Sequence, residues 1–112
     1  MSVPNLNRAL VLEERSEIAD GAGGLRSTWS TLGTLWAEVR SFSGRESGGL
    51  GVSRSKLSLK ITLRAAPQGS SMRPRPDQRL REGTRIYRIT AVAEAQPVGR
   101  YLTCFATEEV AV

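Results

Sequence analysis

The sequence predicts an all-β protein, a small barrel with long loops between its strands, and three observations carry that expectation. Polarity alternates with period two over several segments, turn-forming residues separate those segments at short intervals, and no stretch repeats its apolar residues with a heptad period. With 112 residues, one domain over 1–112 is the expected organisation. Apolar residues make up 39% of the chain and aromatics 5%, so a single copy buries a modest core and association with neighbours is expected.

The first element, Arg8 to Arg15, contains Leu10, Val11 and Leu12 and reads as a strand or a short helix. Asp20-Gly21-Ala22-Gly23-Gly24 follows as a turn. From Leu35 to Arg40, Leu35, Ala37 and Val39 share one face of a strand, opposite Trp36, Glu38 and Arg40. The clearest strand is Lys56 to Arg64, where Leu57, Leu59, Ile61 and Leu63 alternate with Ser58, Lys60 and Thr62. Arg85 to Ala93 sets Tyr87, Ile89 and Ala91 against Ile86, Arg88 and Thr90, and Tyr101 to Thr107 is rich in strand formers. Glu82-Gly83-Thr84 and Gln96-Pro97-Val98-Gly99 supply further turns. Trp29, Trp36, Leu57, Leu59, Ile61, Leu63 and Ile89 are the expected core.

Two connections, about 42–56 and 65–78, are longer than a hairpin needs. The first is rich in Gly and Ser with Arg45 and Arg54; the second holds Pro67, Arg73, Pro74, Arg75 and Pro76. Loops of this length in a small domain are functional or disordered, and both are expected to be mobile in the isolated protein.

Sixteen basic residues stand against eleven acidic ones, a formal charge of +5, and only Lys56 and Lys60 among the basic residues are not arginine. Arginine pairs with phosphate or carboxylate through two parallel hydrogen bonds, so a partner rich in either group fits, and so does a coding bias toward arginine. The chain has no histidine and one cysteine, Cys104, in an apolar strand-like run where a buried thiol is expected. No signal peptide or membrane-spanning run is legible, and the expectation is a soluble intracellular protein without membrane contact.

No phosphate loop, nucleophile elbow or zinc-ligand spacing is present, and neither catalysis nor a cofactor or metal is expected. Glu13, Glu14 and Glu17 near one end and Glu108 and Glu109 near the other read as solvated surface charge. Gly48-Gly49-Leu50-Gly51 lacks the following helix that a phosphate cradle requires. Arginines cluster locally at Arg73, Arg75, Arg79 and Arg81, which suits contact with phosphates or acidic neighbours but not sequence readout.

The ordered set of a first strand with Arg8 and Leu10, a glycine turn, Thr28-Trp29, Leu35-Trp36-Ala37-Glu38-Val39 and Gly44-Arg45-Glu46 resembles the head-tail joining proteins of tailed phages, also called head-closure or stopper proteins. The strand Leu57 to Arg64, the run Glu82-Gly83-Thr84-Arg85-Ile86-Tyr87-Arg88-Ile89 and the closing strand Tyr101 to Glu108 continue the resemblance over nearly the whole chain. Thr84 before Arg85 and the Pro- and Arg-rich loop at 65–78 depart from the pattern. Length and arginine content also suit the version found in gene transfer agents, phage-derived particles that package host DNA.

The resemblance implies a homo-oligomeric ring, expected to be a hexamer, in the neck of a virion or phage-like particle and made in the host cytoplasm. A portal or adaptor protein would lie on its head side, a tail terminator or tail tube protein on its tail side, and packaged double-stranded DNA in its channel. The segment matching the family's channel loop is about Phe42 to Lys56, so Arg45, Gly48, Gly49, Gly51, Arg54 and Lys56 are the expected DNA-facing residues. Arg73, Arg75, Arg79 and Arg81 are the expected second contact. The competing readings are a loop that only packs on a neighbouring subunit, a tail-side adaptor of similar fold, and a free-standing OB or SH3-like barrel using the four clustered arginines as a phosphate track.

Overall fold

Six strands run through the described residues: β1 (Arg8–Ala19), β2 (Leu25–Ser43), β3 (Arg54–Arg64), β4 (Arg79–Glu82), β5 (Arg85–Ala95) and β6 (Tyr101–Ala111). The computed structural model describes residues 3–43, 54–95 and 99–111. All neighbouring pairs are antiparallel, and the order β1-β2-β3-β6-β5-β4 closes into a barrel through the pairing of β4 with β1. The all-β barrel expected from the alternation is the observed fold.

Each strand follows its sequence pattern. The β1 run that was open between helix and strand is a strand, with Leu10 and Leu12 buried. Gly83 and Thr84 are the two central residues of the β4–β5 hairpin, and Gly83 has φ +60° while Thr84 stays on the negative side, the backbone that a II′ turn asks of a glycine at its first position. The β2–β3 connection covers only residues 44–53, because β2 runs on to Ser43 and β3 begins at Arg54, paired with Ala111.

Inward positions build one core of Leu10, Leu12, Ala37, Leu59, Ile61, Leu63, Leu80, Tyr87, Ile89, Leu102, Cys104 and Ala106, with Leu57 packed at its margin. Leu59, Ile61, Leu63 and Ile89 thus lie where the sequence places them. Trp36 does not: it is 59% exposed. It alternates with Leu35, Ala37 and Val39, and once those take the inner face the barrel has no second layer to cover the outer one. Trp29 is half-buried and outside the core cluster. Ala91 is exposed as well, because a bulge between Ile89 and Ala91 inserts Thr90 and shifts the alternation, putting Ala91 and Ala93 outward and Val92 against the core.

The closed part of the barrel has two distinct ends. Segment 3–7, the Gly83–Thr84 turn, the C-terminal end of β6 and the strand ends flanking 44–53 share one. At the other lie the 65–78 loop, the β5–β6 turn and a two-stranded arm. The arm exists because β4 accompanies β1 only to Glu13 and β3 joins β2 only from Ala37, so residues 14–19 and 25–30 pair with each other alone. At its tip Asp20 accepts hydrogen bonds from the backbone N–H groups of Ala22 (2.8 Å) and Gly24 (3.0 Å), which hold its carboxyl below the ordinary value.

Candidate functional site

Three surfaces can engage other molecules, and each is set by strand alternation. The first is the barrel end that carries β2 to β3. Arg8 shares the inward face of Leu10 and Leu12, Glu82 that of Leu80, Arg85 that of Tyr87, and Glu108 that of Ala106. These four charged residues therefore close the core at that end. Arg8 grips Glu82 with two hydrogen bonds, Nε to Oε2 at 2.9 Å and Nη2 to Oε1. The Tyr87 hydroxyl donates to Glu82 Oε1 at 2.9 Å and accepts from Arg8 Nη2 at 3.2 Å. Arg85 grips Glu108 in the same bidentate way, both bonds at 2.8 Å, with its guanidinium 5.2 Å from the Tyr87 ring centre.

The electrostatics follow from those contacts. The Arg8 hydrogen bond holds the Glu82 carboxyl below its ordinary value against the opposing effect of burial. Burial, then the bond to Glu82, pushes the Tyr87 hydroxyl up to about 12. The Arg85 guanidinium is raised by its bonds to Glu108. This end of the barrel is a set of satisfied charges, and it is the end at which residues 44–53 join β2 to β3. Arg45, Gly48, Gly49 and Gly51 lie outside the described residues. The backbones of Arg54 and Lys56 belong to β3, opposite Ala111 and Glu109.

The second surface lies at the base of the arm. Glu13 follows a bulge and faces outward, yet it is only 5% exposed because Arg79 and Arg81 bond it at 2.6 Å and 3.0 Å. Burial alone would raise its carboxyl, but those two arginines outweigh burial and hold it below the ordinary value. Arg79 in turn lies 4.0 Å from the Trp29 ring centre, the stacked geometry in which a guanidinium and an indole attract. Arg75 pairs with Glu14 at 3.0 Å, and Arg73 donates to the Ala66 carbonyl at 2.9 Å. The structure therefore brings Arg75, Arg79 and Arg81 together around Glu13 and Glu14 and holds Arg73 inside its own loop. That loop is stitched by backbone bonds from Ser70 to Pro67, Arg73 to Ser70 and Gln78 to Arg75, with Pro74 fully buried.

Two carboxylates expected to be solvated are not: Glu13 and Glu108 are each 5% exposed. Single-residue composition hides this, because the arginines that desolvate them arrive from other strands. An Arg-x-Arg pair on one strand, here Arg79 and Arg81, puts two cations on the same face and was the legible hint. Cys104 is buried as expected, and burial pushes its thiol up to about 12. No cluster of residues suited to a metal ion occurs among the described residues.

The third surface is the outer face of β2, β3, β6 and β5. Arg40 stands opposite Lys60, Lys60 opposite Phe105, and Arg64 opposite Tyr101, with Trp36 two residues along from Glu38. Lys60 Nζ lies 6.0 Å from the Phe105 ring centre. Ala91 and Ala93 extend the face beside Phe105 and Thr103 with small side chains. Segment 3–7 borders it, anchored by Asn5 N–H donating to Glu38 at 3.0 Å.

Comparison with known proteins gives two findings. The sequence model of the family described as phage head completion protein matches residues 1–109. A chain in the solved structure described as the virion of a native gene transfer agent particle is 54% identical, superposes with a TM-score of 0.86, and is covered over 100% of its length by 98% of this chain. No curated protein matches.

Proposed function

Because the chain belongs to the phage head completion protein family, we propose that it is the stopper of a phage-like particle: a ring, expected to be hexameric, in the neck between the portal or adaptor and the tail. It keeps packaged DNA in the head and provides the surface on which the tail docks. One observation carries this reading, the 54% identity over essentially the whole of both chains to a component of a gene transfer agent virion.

The barrel architecture suits the task physically. A ring wall under pressure from packaged DNA needs a rigid unit, and a closed barrel with no unpaired edge around its core supplies one. The segment proposed for the channel, with Arg45, Gly48, Gly49 and Gly51, joins β2 to β3 at the end sealed by the Arg8–Glu82 and Arg85–Glu108 pairs. Those pairs tie β1 to β4 and β5 to β6 at that end, while β2 and β3, which carry the segment, are held by their own ladder. Glycines there permit a change of backbone conformation, and Arg45 offers DNA phosphates a cation.

The reading as a free nucleic-acid-binding barrel draws less support from the geometry. Arg75, Arg79 and Arg81 already bond carboxylates, so a phosphate track through them would have to displace Glu13 and Glu14.

Particles assembled without this chain test the proposal. The expected result is heads that fill and then lose their DNA and carry no tails, restored when the chain is supplied. Tailed particles that keep their DNA in its absence would overturn it.

A further inference from the structure

We infer that the exposed β1–β2 arm of one copy lies across the outer face of β2, β3 and β6 of a second copy, so that this contact closes the proposed ring. The inference rests on the ring reading above and names the two surfaces that meet.

The arm meets its own chain at the base, where Arg75 pairs with Glu14 and Arg79 stacks on Trp29, and its end is left exposed. Two-stranded ribbons are marginal in isolation, and this one exposes Ile18 (49%) and Leu25 (70%) at its end. Ile18 pairs with Arg26 and Ala19 with Leu25, so the two apolar side chains project from opposite faces. A ribbon with apolar groups on both faces is suited to lying against other protein, not to standing in water. The arm cannot fold back onto its own outer face without breaking the β1–β2 ladder that defines it.

The outer face offers what the arm lacks. It presents Trp36 at 59% exposure, with Tyr101 and Phe105 half-buried beside small alanines. Aromatic and arginine side chains together are the composition of protein–protein contacts. Charge is compatible: with Arg40 paired to Glu38, Lys60 and Arg64 leave the face positive, and with Glu14 paired to Arg75 and Glu17 to Arg15 the arm is neutral, its tip carrying Asp20. Reach agrees too. Six residues at about 3.3 Å each give an arm of about 20 Å, enough to cross three strands spaced about 4.8 Å apart. Two different complementary patches on one chain make a head-to-tail contact, the kind that generates a ring when its rotation closes.

The test is cysteine cross-linking in assembled particles that carry Leu25→Cys together with Thr62→Cys, using a short bismaleimide; the native Cys104 is buried and adds no background. The expected result is a ladder of covalent multimers on a denaturing gel that requires both new cysteines. In parallel, Trp36→Glu should leave the thermal melt of the isolated chain unchanged and exclude the chain from particles. Particles that hold several copies of the double-cysteine chain and yield no ladder would overturn the contact while leaving the ring intact, as would normal incorporation of Trp36→Glu. A single copy per particle would remove the ring and the contact together. Salt-sensitive capture of double-stranded DNA by the wild-type chain, lost in Arg40→Glu/Lys60→Glu and without cross-linking, would assign the face to DNA and overturn the inference.

Discussion

Arg85 on β5 holds Glu108 on β6 by two parallel hydrogen bonds of 2.8 Å, just beyond the last backbone pair of the two strands, Arg88 with Thr107. Side chains continue the contact where the ladder stops. The two partners differ in solvent access: the Arg85 side chain is 47% exposed and that of Glu108 only 7%.

That asymmetry predicts unequal mutational costs. Arg85→Ala strands a desolvated carboxylate and should cost about 2–3 kcal/mol. Glu108→Ala frees a half-exposed guanidinium that water can take up, and about 1 kcal/mol is expected. Urea unfolding of both variants and of the double variant checks this; the double variant should lose less than the two single losses combined.

Stability should fall away on both sides of neutrality. Glu13 and Glu82 have folded values below the ordinary 4.5, so the unfolded chain takes up protons first as pH falls. Their contribution is complete above about pH 5 and disappears as pH drops through the depressed values. Tyr87 and Cys104 lie on the alkaline side, each raised to about 12 from 10.0 and 9.0. The unfolded chain loses those protons first as pH rises, so stability is present below about pH 9 and declines toward 12. Urea midpoints across pH measure both limbs. Glu13→Gln should flatten the acid limb and Cys104→Ala the alkaline one.

Trp36→Ala should change stability by no more than about 0.5 kcal/mol, because its side chain is already largely in water. Ile61→Ala, at a fully buried position, should cost about 2–5 kcal/mol. Thermal melts of the two variants make the comparison, and a large loss from Trp36→Ala would mean that the outer face is covered within the monomer. The contrast also marks what was legible in the sequence. Period-two alternation located Leu59, Ile61 and Leu63 because inward facing follows from local geometry alone. The same alternation put Trp36 outward with Glu38 and Arg40; a preference for burying a large aromatic pointed inward, and the single-layer barrel decides for the alternation. The Arg79 and Arg81 spacing hinted at a shared anionic partner, but that Glu13 is this partner, and that Arg85 covers Glu108, depends on strand register that one sequence does not specify. The arm was hidden for a similar reason: its existence depends on where β4 and β3 stop accompanying β1 and β2.

The proposed channel role of residues 44–53 makes a prediction about access. Trypsin cuts after arginine, and Arg45 lies within this segment, whereas Arg54 opens β3 with its backbone paired to Ala111. In the free protein the expected first cut follows Arg45, since the Gly48, Gly49 and Gly51 composition gives an extended substrate conformation little resistance. If a ring holds the segment in its channel, the same cut should be lost in particles while cuts elsewhere on the outer surface persist. Mass spectrometry of limited digests in both states reads this directly. Resistance at Arg45 in both states would make the segment part of the folded barrel and take away its role in retaining DNA; cutting in both states would place it on the outside of the neck.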